Sequence, residues 1–318
     1  MELYENQSHK LILKKYFVSD GMVTRILREA TKNVQPSMNF LPIVLCMDEF
    51  ESMKSVSGSM SFICVDGTTI QLFTILEDRR LYKLPQYFLR FPRTARLKVK
   101  YLVMDMNASY CQLLKMVFPN SQLVSERFHI VQPINRSFNQ FRVQIMNHFR
   151  DSRSENQKKY RRLKRYWKLL LKDSDHLELL KRTYHRLFHR PISQTEIFNE
   201  LLTYNEELKE AYQFVQLLRY HFTKRDYEGF QETFQTMAES FKKKFRIFQR
   251  YRVGIENAFR VKLSNGITEG LNNKIKLIKR TSFGYRNFYN FRARIYLQQG
   301  LIFKNHNHPS KGWFALGL

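Results

Sequence analysis

Three acidic residues stand where a folded chain could bring carboxylates together. Asp48 lies in LPIVLCMDEF, Asp105 closes VKYLVMDM, and Glu269 sits in SNGITEGLNNKIKLIKR as the single acid of the last 56 residues. Carboxylate oxygens are hard ligands suited to Mg²⁺, which takes few ligands from protein and keeps positions for water and phosphate. Three of them around two ions could run in-line phosphoryl transfer, one ion generating the attacking hydroxide or 3′-hydroxyl and the other stabilising the leaving oxygen. Acids at strand ends also cap loops or pair with arginine, so the spacing alone leaves both readings open.

The elements that must position these acids can be read from periodicity. Residues 41–50 form a continuous apolar run of strand length ending on two acids, which suits a central strand buried on both faces. MSFICVD (60–66) and TIQLFTIL (69–76) are β-rich runs separated by little more than Gly67 and Thr68, and read as a hairpin. LYKLPQYFLRF (81–91) reads as helical, and VKYLVMDM (99–106) is a second buried strand. Asn107 and Ser109 suit the start of an amphipathic helix, YCQLLKMVF, which Pro119 and Asn120 stop. QLVSE (122–126) is a short strand that leads into a longer helix from about Arg127. Three strands, helix, strand, helix, strand, helix is the order of an α/β ribonuclease H-like mixed sheet core. In that order the first and fourth strands are neighbours, which sets Asp48 beside Asp105.

Residues 135–262 show apolar and aromatic residues at spacings of three and four with almost no Gly or Pro, and read as a large all-α insertion. The remaining divisions are an N-terminal helical region (1–38), the first part of the core (39–134), a returning core segment with the third acid (263–300) and a tail (301–318). In the first of these, Val18, Met22, Val23, Ile26 and Leu27 line one face of a helix, read as a packing helix or the remnant of a helix-turn-helix.

The quoted acids carry a family resemblance. LPIVLCMDEF, ILEDRRLYKLPQYFLRFPRTARLKVKYLVMDMNASY, SERFHIVQPINRSFNQFRVQIMN and SNGITEGLNNKIKLIKRTSFGYRNFYNFRARI resemble the catalytic domain of bacterial insertion-sequence transposases of the ISL-three type, from about Leu41 to Ile295. The resemblance implies a DDE transposase with a ribonuclease H-like core, a divalent metal (Mg²⁺, with Mn²⁺ substituting), and cleavage and strand transfer of DNA at insertion-sequence ends. Its triad falls on Asp48, Asp105 and Glu269. Two departures accompany it. The chain begins after most of the zinc module and helix-turn-helix that such proteins carry, and reads as N-terminally shortened. Glu126 stands in ERFH where the family pattern has Asp. Glu126, His129 and Asn273 are expected to orient the acids rather than to react.

Charge agrees with a polyanionic partner. The chain carries 54 Lys+Arg against 28 Asp+Glu, a formal +26 with pI near 10.0. Residues 263–318 hold nine bases, and Lys274, Lys276, Lys279, Arg280, Arg286, Arg292 and Arg294 flank Glu269 where a cleaved phosphate must sit. The partners expected are insertion-sequence ends and target DNA, with a second protomer because two ends must be joined. The bases of KYRRLKRYWK (159–168) suit either phosphate contact or an ordinary solvated face, and Phe283, Tyr285, Phe288, Tyr289 and Phe291 read as core before base-stacking. Cys46, Cys64 and Cys111 are isolated and read as reduced core thiols, and His306 and His308 as part of a flexible tail. No run approaches ~18 apolar residues and the N-terminus lacks a signal-peptide core, so a cytoplasmic, nucleoid-associated protein is expected. Two other readings share these features: a catalytically silent remnant that binds DNA or inhibits the intact enzyme, and a structure-selective ribonuclease H-like nuclease.

Overall fold

Residues Val44–Glu51 form strand β1, and its neighbours fix which way each side chain faces. β2 (Met60–Asp66) pairs with it antiparallel and β3 (Gln71–Leu76) pairs antiparallel with β2. β4 (Tyr101–Met104) lies parallel on the other side of β1, and β5 (Gln122–Ser125) lies parallel beyond it. The sheet order is therefore β3-β2-β1-β4-β5, a mixed sheet with β1 at its centre. The computed structural model describes residues 8–299, apart from 33, 35, 54–55, 57–58, 81, 106–113, 152–153, 237–247, 249–250 and 282–284. Of the helix expected over YCQLLKMVF, residues 114–117 are helical, whereas its start, with Asn107, Ser109 and Cys111, lies outside the described residues, as do Phe283, His306 and His308.

The chain divides into two compact units, Met1–Glu126 with Lys262–Leu318, and Arg127–Val261. In the first, successive β1 side chains go to opposite faces of the sheet. Leu45 and Met47 join Phe62, Cys64, Phe73, Leu102 and Met104 in one apolar cluster. That cluster is closed by Leu84 and Phe88 of α3 (Lys83–Phe88), Phe91, and Ala95 of α4 (Arg93–Leu97). A single helix was expected over 81–91; the chain instead turns after Phe88, because Pro92 opens α4. Cys46, Asp48 and Phe50 alternate to the opposite face, where Phe50 meets Phe291 edge-on at 6.4 Å.

The N-terminal region holds two helices. α1 (His9–Tyr16) and α2 (Asp20–Thr31) are each capped by a serine, Ser8 accepting from Leu11 N–H and Ser19 from Met22 N–H. Of the five apolar residues expected on one face of α2, only Val23 and Leu27 lie on the buried side of the helix itself, whereas Met22 and Ile26 are exposed.

The second unit is mainly helical: α5 (Arg127–His148), α6 (Ser154–Arg165), α7 (Trp167–Leu171), α8 (Gln194–Leu202), α9 (Glu206–Lys224), α10 (Tyr227–Thr236) and α11 (Arg252–Arg260). It is not all-α. β6 (Thr183–His185) and β7 (Arg190–Ile192) form an antiparallel hairpin inside the segment expected to be helical. Its turn needs His189 at φ 53°, and Pro191 tolerates only a strand edge. Tyr166 packs on both His185 and Phe188, a tertiary anchor that the helical spacing of Leu177 and Leu180 did not disclose.

Several arginines in this unit are internal. Arg142 is buried and donates to Leu163 O at 2.9 Å, and burial pulls its pKa down. Arg219 donates to Leu171 O, Lys172 O and Asn135 Oδ1, satisfying carbonyls at the end of α7. Arg162 of the KYRRLKRYWK segment is committed to Glu200, Tyr204 Oη and Leu187 O, with its guanidinium over Phe188.

Gly67 follows β2 and lies against β1. Its N–H bonds Val44 O, and a Cβ there would stand 2.6 Å from Val44 Cγ1 and 2.8 Å from Cys46 Sγ. Gly67→Ala is expected to destabilise the chain by about 1–3 kcal/mol through this overpacking, measured as a lower urea midpoint. An unchanged midpoint would show that β1 and the turn separate freely.

Candidate active site

The parallel pairing of β1 with β4 places the first two acids. Cys46 is level with Val103; carried two residues further, that register sets Asp48 level with Asp105, immediately after β4. On the far side of β4, Ser125 pairs with Met104, and Glu126 N–H then bonds Met104 O at 3.2 Å. Asp48, just past the part of β1 that pairs with β4, and Asp105 and Glu126, just past β4 and β5, thus follow one another across three adjacent parallel strands, on the side where open α/β sheets carry their ligands. Asp48 is half-buried, Asp105 exposed and Glu126 buried.

The third predicted acid comes from α12 (Gly266–Thr281), which packs against β1 and β2. Asn265 starts it: its side chain donates to Met47 O at 3.3 Å and accepts from Thr268 Oγ1 at 2.5 Å. Asn272 Nδ2 donates to Asp48 Oδ2 at 2.8 Å, while Asp48 Oδ1 takes Glu49 N–H at 2.7 Å. Lys279 Nζ reaches Ser52 O at 2.5 Å and Glu51 at 3.2 Å. Contacts at 265, 272 and 279 match 47, 48 and 51–52 in the same sense, so the helix runs along β1 in the strand's own direction. Glu269 is exposed in the first turn, three residues before Asn272.

The residue that meets Asp48 is therefore Asn272, a position that the sequence analysis did not single out. It is only 7% exposed, and its Oδ1 is buried with no hydrogen-bond partner. The signal was in the spacing: Thr268, Leu271, Ile275 and Ile278 form the buried stripe, and Asn272 shares it at i+1 from Leu271 and i−3 from Ile275. Asn273, named as an orienting residue, faces solvent. His129 belongs to α5, in the other unit.

The basic residues sort into separate groups. Lys274, Lys276 and Arg280 of α12 and Arg286 after it are exposed. Lys279 is taken up by the end of β1, and Arg294, expected to meet phosphate, is 1% exposed in the core. Arg292 stacks on Phe288, Tyr289 and Tyr296. Phe288 and Phe291 are core side chains, as expected of them, in α13 (Phe288–Gln298). The Cys46 thiol, on the Asp48 face, is pushed up to about 12 by burial and then by the Asp66 and Glu126 carboxylates; burial also raises Cys64. Both are free buried thiols, inert as nucleophiles.

All three predicted ligands are carboxylates, a donor set that fits a hard divalent cation. Among the described residues, no three His, Cys, Asp or Glu side chains are gathered closely enough to hold a metal ion.

A ribonuclease H-like mixed sheet with acids on its parallel strand ends defines a class of phosphoryl-transfer proteins, and comparison with known proteins narrows it. The family model for transposases of the DDE, ISL3 type matches residues 45–295, and the chain belongs to that family. It is 27% identical over 254 residues to the transposase for insertion sequence element IS1001 of Bordetella parapertussis, covering 76% of this chain and 57% of that protein. It is also 38% identical over 117 residues to a Lactococcus lactis subsp. lactis protein named ATP-dependent protease, covering 35% of this chain and 38% of that one. The 318 residues contain no G-x-x-x-x-G-K-[S/T] run of the kind that cradles nucleotide phosphates. The chain spans little more than half of the first relative's counterpart length and less of the second's. No helix among the described residues is long and apolar enough to cross a membrane.

If Asn272 holds Asp48 as the geometry indicates, the two positions are energetically coupled. A double-mutant cycle of Asp48→Ala and Asn272→Ala in urea denaturation is expected to give a coupling energy of about 1–2 kcal/mol. Additive effects of the two substitutions would remove the bond from the account.

Proposed function

We propose that the chain is the catalytic part of an insertion-sequence transposase, cleaving DNA at element ends and joining the freed 3′ end to target DNA. The observation that carries this reading is the placement of Asp48 level with Asp105 across two parallel strand ends, with the Glu269 helix seated on Asp48 through Asn272. Asp48, Asp105 and Glu269 would hold the divalent metal, Mg²⁺ or Mn²⁺. When bound, such ions activate the attacking oxygen and neutralise charge on the leaving one.

The chain's own contribution is placement. Asn272 fixes one carboxylate oxygen of Asp48, and the Glu49 N–H fixes the other, so that the carboxylate presents one orientation to the sheet edge. Glu126, anchored by its N–H to the carbonyl immediately before Asp105, braces the neighbouring strand end. The exposed Lys274, Lys276, Arg280 and Arg286 supply positive charge beside Glu269 for the DNA backbone, each contact adding a salt-dependent increment to binding. Joining two element ends calls for two protomers on DNA. The protein would act where the chromosome is, on the nucleoid in the cytoplasm.

The test is nicking and joining of a pre-cleaved oligonucleotide duplex by the purified chain with Mn²⁺ or Mg²⁺, beside Asp105→Asn and Glu269→Gln. Both substitutions are expected to lower joining by at least a hundredfold without changing DNA affinity in EDTA. Cleavage without joining would make the chain a nuclease. DNA binding with no metal-dependent chemistry, equal in all three proteins, would reduce it to a DNA-binding relic of the enzyme.

A further inference from the structure

Away from the acidic strand ends, the first unit carries a cleft of about 160 Å³ between α2 and α13, lined by Arg28, Thr31, Lys32, Tyr289, Arg292 and Tyr296 among others. Its cations are held in place by contacts that spare their donors. The Arg28 Nε–H is bonded to Asn290 Oδ1 at 2.8 Å, which fixes the plane of the guanidinium and leaves both terminal nitrogens to the cleft. Arg292 lies 5.2 Å from the Tyr289 ring centroid, 5.7 Å from Tyr296 and 5.8 Å from Phe288. Stacking on aromatic faces immobilises a guanidinium without using any of its five N–H groups. Tyr296 is itself pinned, its hydroxyl accepting the Ile75 N–H of β3 at 3.2 Å.

Among the described residues, no acid lines the cleft. Lys32 pairs with Glu29 at 3.7 Å, with both side chains more than two-thirds exposed. Such a pair is worth little in water and yields readily to a stronger anion. Two oriented arginines and a lysine around a concave surface are the donor geometry for a phosphodiester, which guanidinium forks bind bidentately.

We propose that this cleft is a binding site for the phosphate backbone of DNA, separate from the acidic edge and served by Arg28, Lys32 and Arg292. Its contacts are to phosphate alone, so it grips DNA irrespective of sequence and contributes through counterion release. The two walls come from opposite ends of the chain. A DNA strand seated there therefore tightens α2 onto α13, and ligand and fold reinforce each other. The proposal rests on DNA being the partner, as argued above, and its test needs no chemistry.

The experiment is fluorescence anisotropy of two unrelated labelled 30-mer duplexes in EDTA, titrated with the full chain across 50–300 mM KCl. Three proteins are compared: wild type, Arg28→Gln with Lys32→Gln, and a control, Lys158→Gln with Lys209→Gln. The control removes the same charge from exposed lysines of the other unit that each pair with a glutamate three residues earlier. Wild type is expected to show a steep negative slope of log K against log [KCl], and the cleft variant a slope smaller by about 1.8, or 0.9 per lost phosphate contact. The loss should be equal on both duplexes, and the control slope should match wild type. Arg292→Gln should lower the slope by about 0.9 alone. If Arg28→Gln lowers the melting temperature, Lys32→Gln, whose exposed side chain pairs with Glu29, is read in its place, with an expected fall of about 0.9. Equal slopes for cleft and control variants would overturn the cleft while leaving DNA as the partner. A wild-type chain that binds neither duplex would overturn both.

Discussion

The seat of α12 on β1 is the contact on which the site depends. Three side chains make it: Asn265 to Met47 O, Asn272 to Asp48 and Lys279 to Ser52 O, spanning 218, 224 and 227 residues of sequence. Each ties a residue in α12 or immediately before it to a successive point on β1 or immediately after it, and the seven-residue interval between them keeps all three on one side of the helix. This interval is two helical turns, long enough to align the axis and short enough that one face serves. Because β1 is also the hinge of the sheet, antiparallel to β2 and parallel to β4, whatever fixes its even-numbered side chains fixes the position of Asp48 relative to every other acid.

Charge in this protein is used in two physically different ways. In the helical unit, Arg142, Arg162 and Arg219 face inward, satisfying carbonyls and carboxylates, so that part of the basic excess is structural. In the sheet unit, Lys274, Lys276 and Arg280 of α12 and the cations of the α2–α13 cleft stay at the surface. Net charge alone does not distinguish them. What does is whether the N–H donors are spent on carbonyls and carboxylates, as those of Arg219 and Arg162 are, or the guanidinium is held by aromatic faces without such bonds, as that of Arg292 is.

Much of the sheet was legible from sequence because its signal is local. The apolar run before Asp48, the Gly67 turn and the run before Asp105 each carry strand length and punctuation, and the strand order follows from their succession. The hairpin at Thr183–Ile192 was not legible, since Leu177, Leu180 and Phe188 imitate helical spacing while the ring of Tyr166, far along the chain, decides the outcome. The site divides in the same way. Asp48 and Asp105 were visible as strand-end acids. Asn272 was hidden because a polar residue on a helix defaults to solvent unless its partner, 224 residues away, is known. Arg294 failed for the converse reason: a guanidinium 1% exposed looks, in sequence, like any other cation beside a basic helix.

The discontinuity of the sheet unit has a consequence for synthesis. Residues Arg127–Val261 emerge from the ribosome before the segment that completes the unit begun at the N-terminus. At ~5–20 residues per second the delay is on the order of ten seconds. Throughout that interval the face of β1 carrying Cys46, Asp48 and Phe50 lacks α12 and α13, and its apolar surface stands open to other nascent chains. A message truncated between Glu126 and Asn265 yields a polypeptide frozen in that condition, with Asp48 and Asp105 made but Glu269 and the helix that carries it missing. Quality control by chaperones and proteases then falls on incomplete copies first, which limits the supply of half-assembled active sites in the cell.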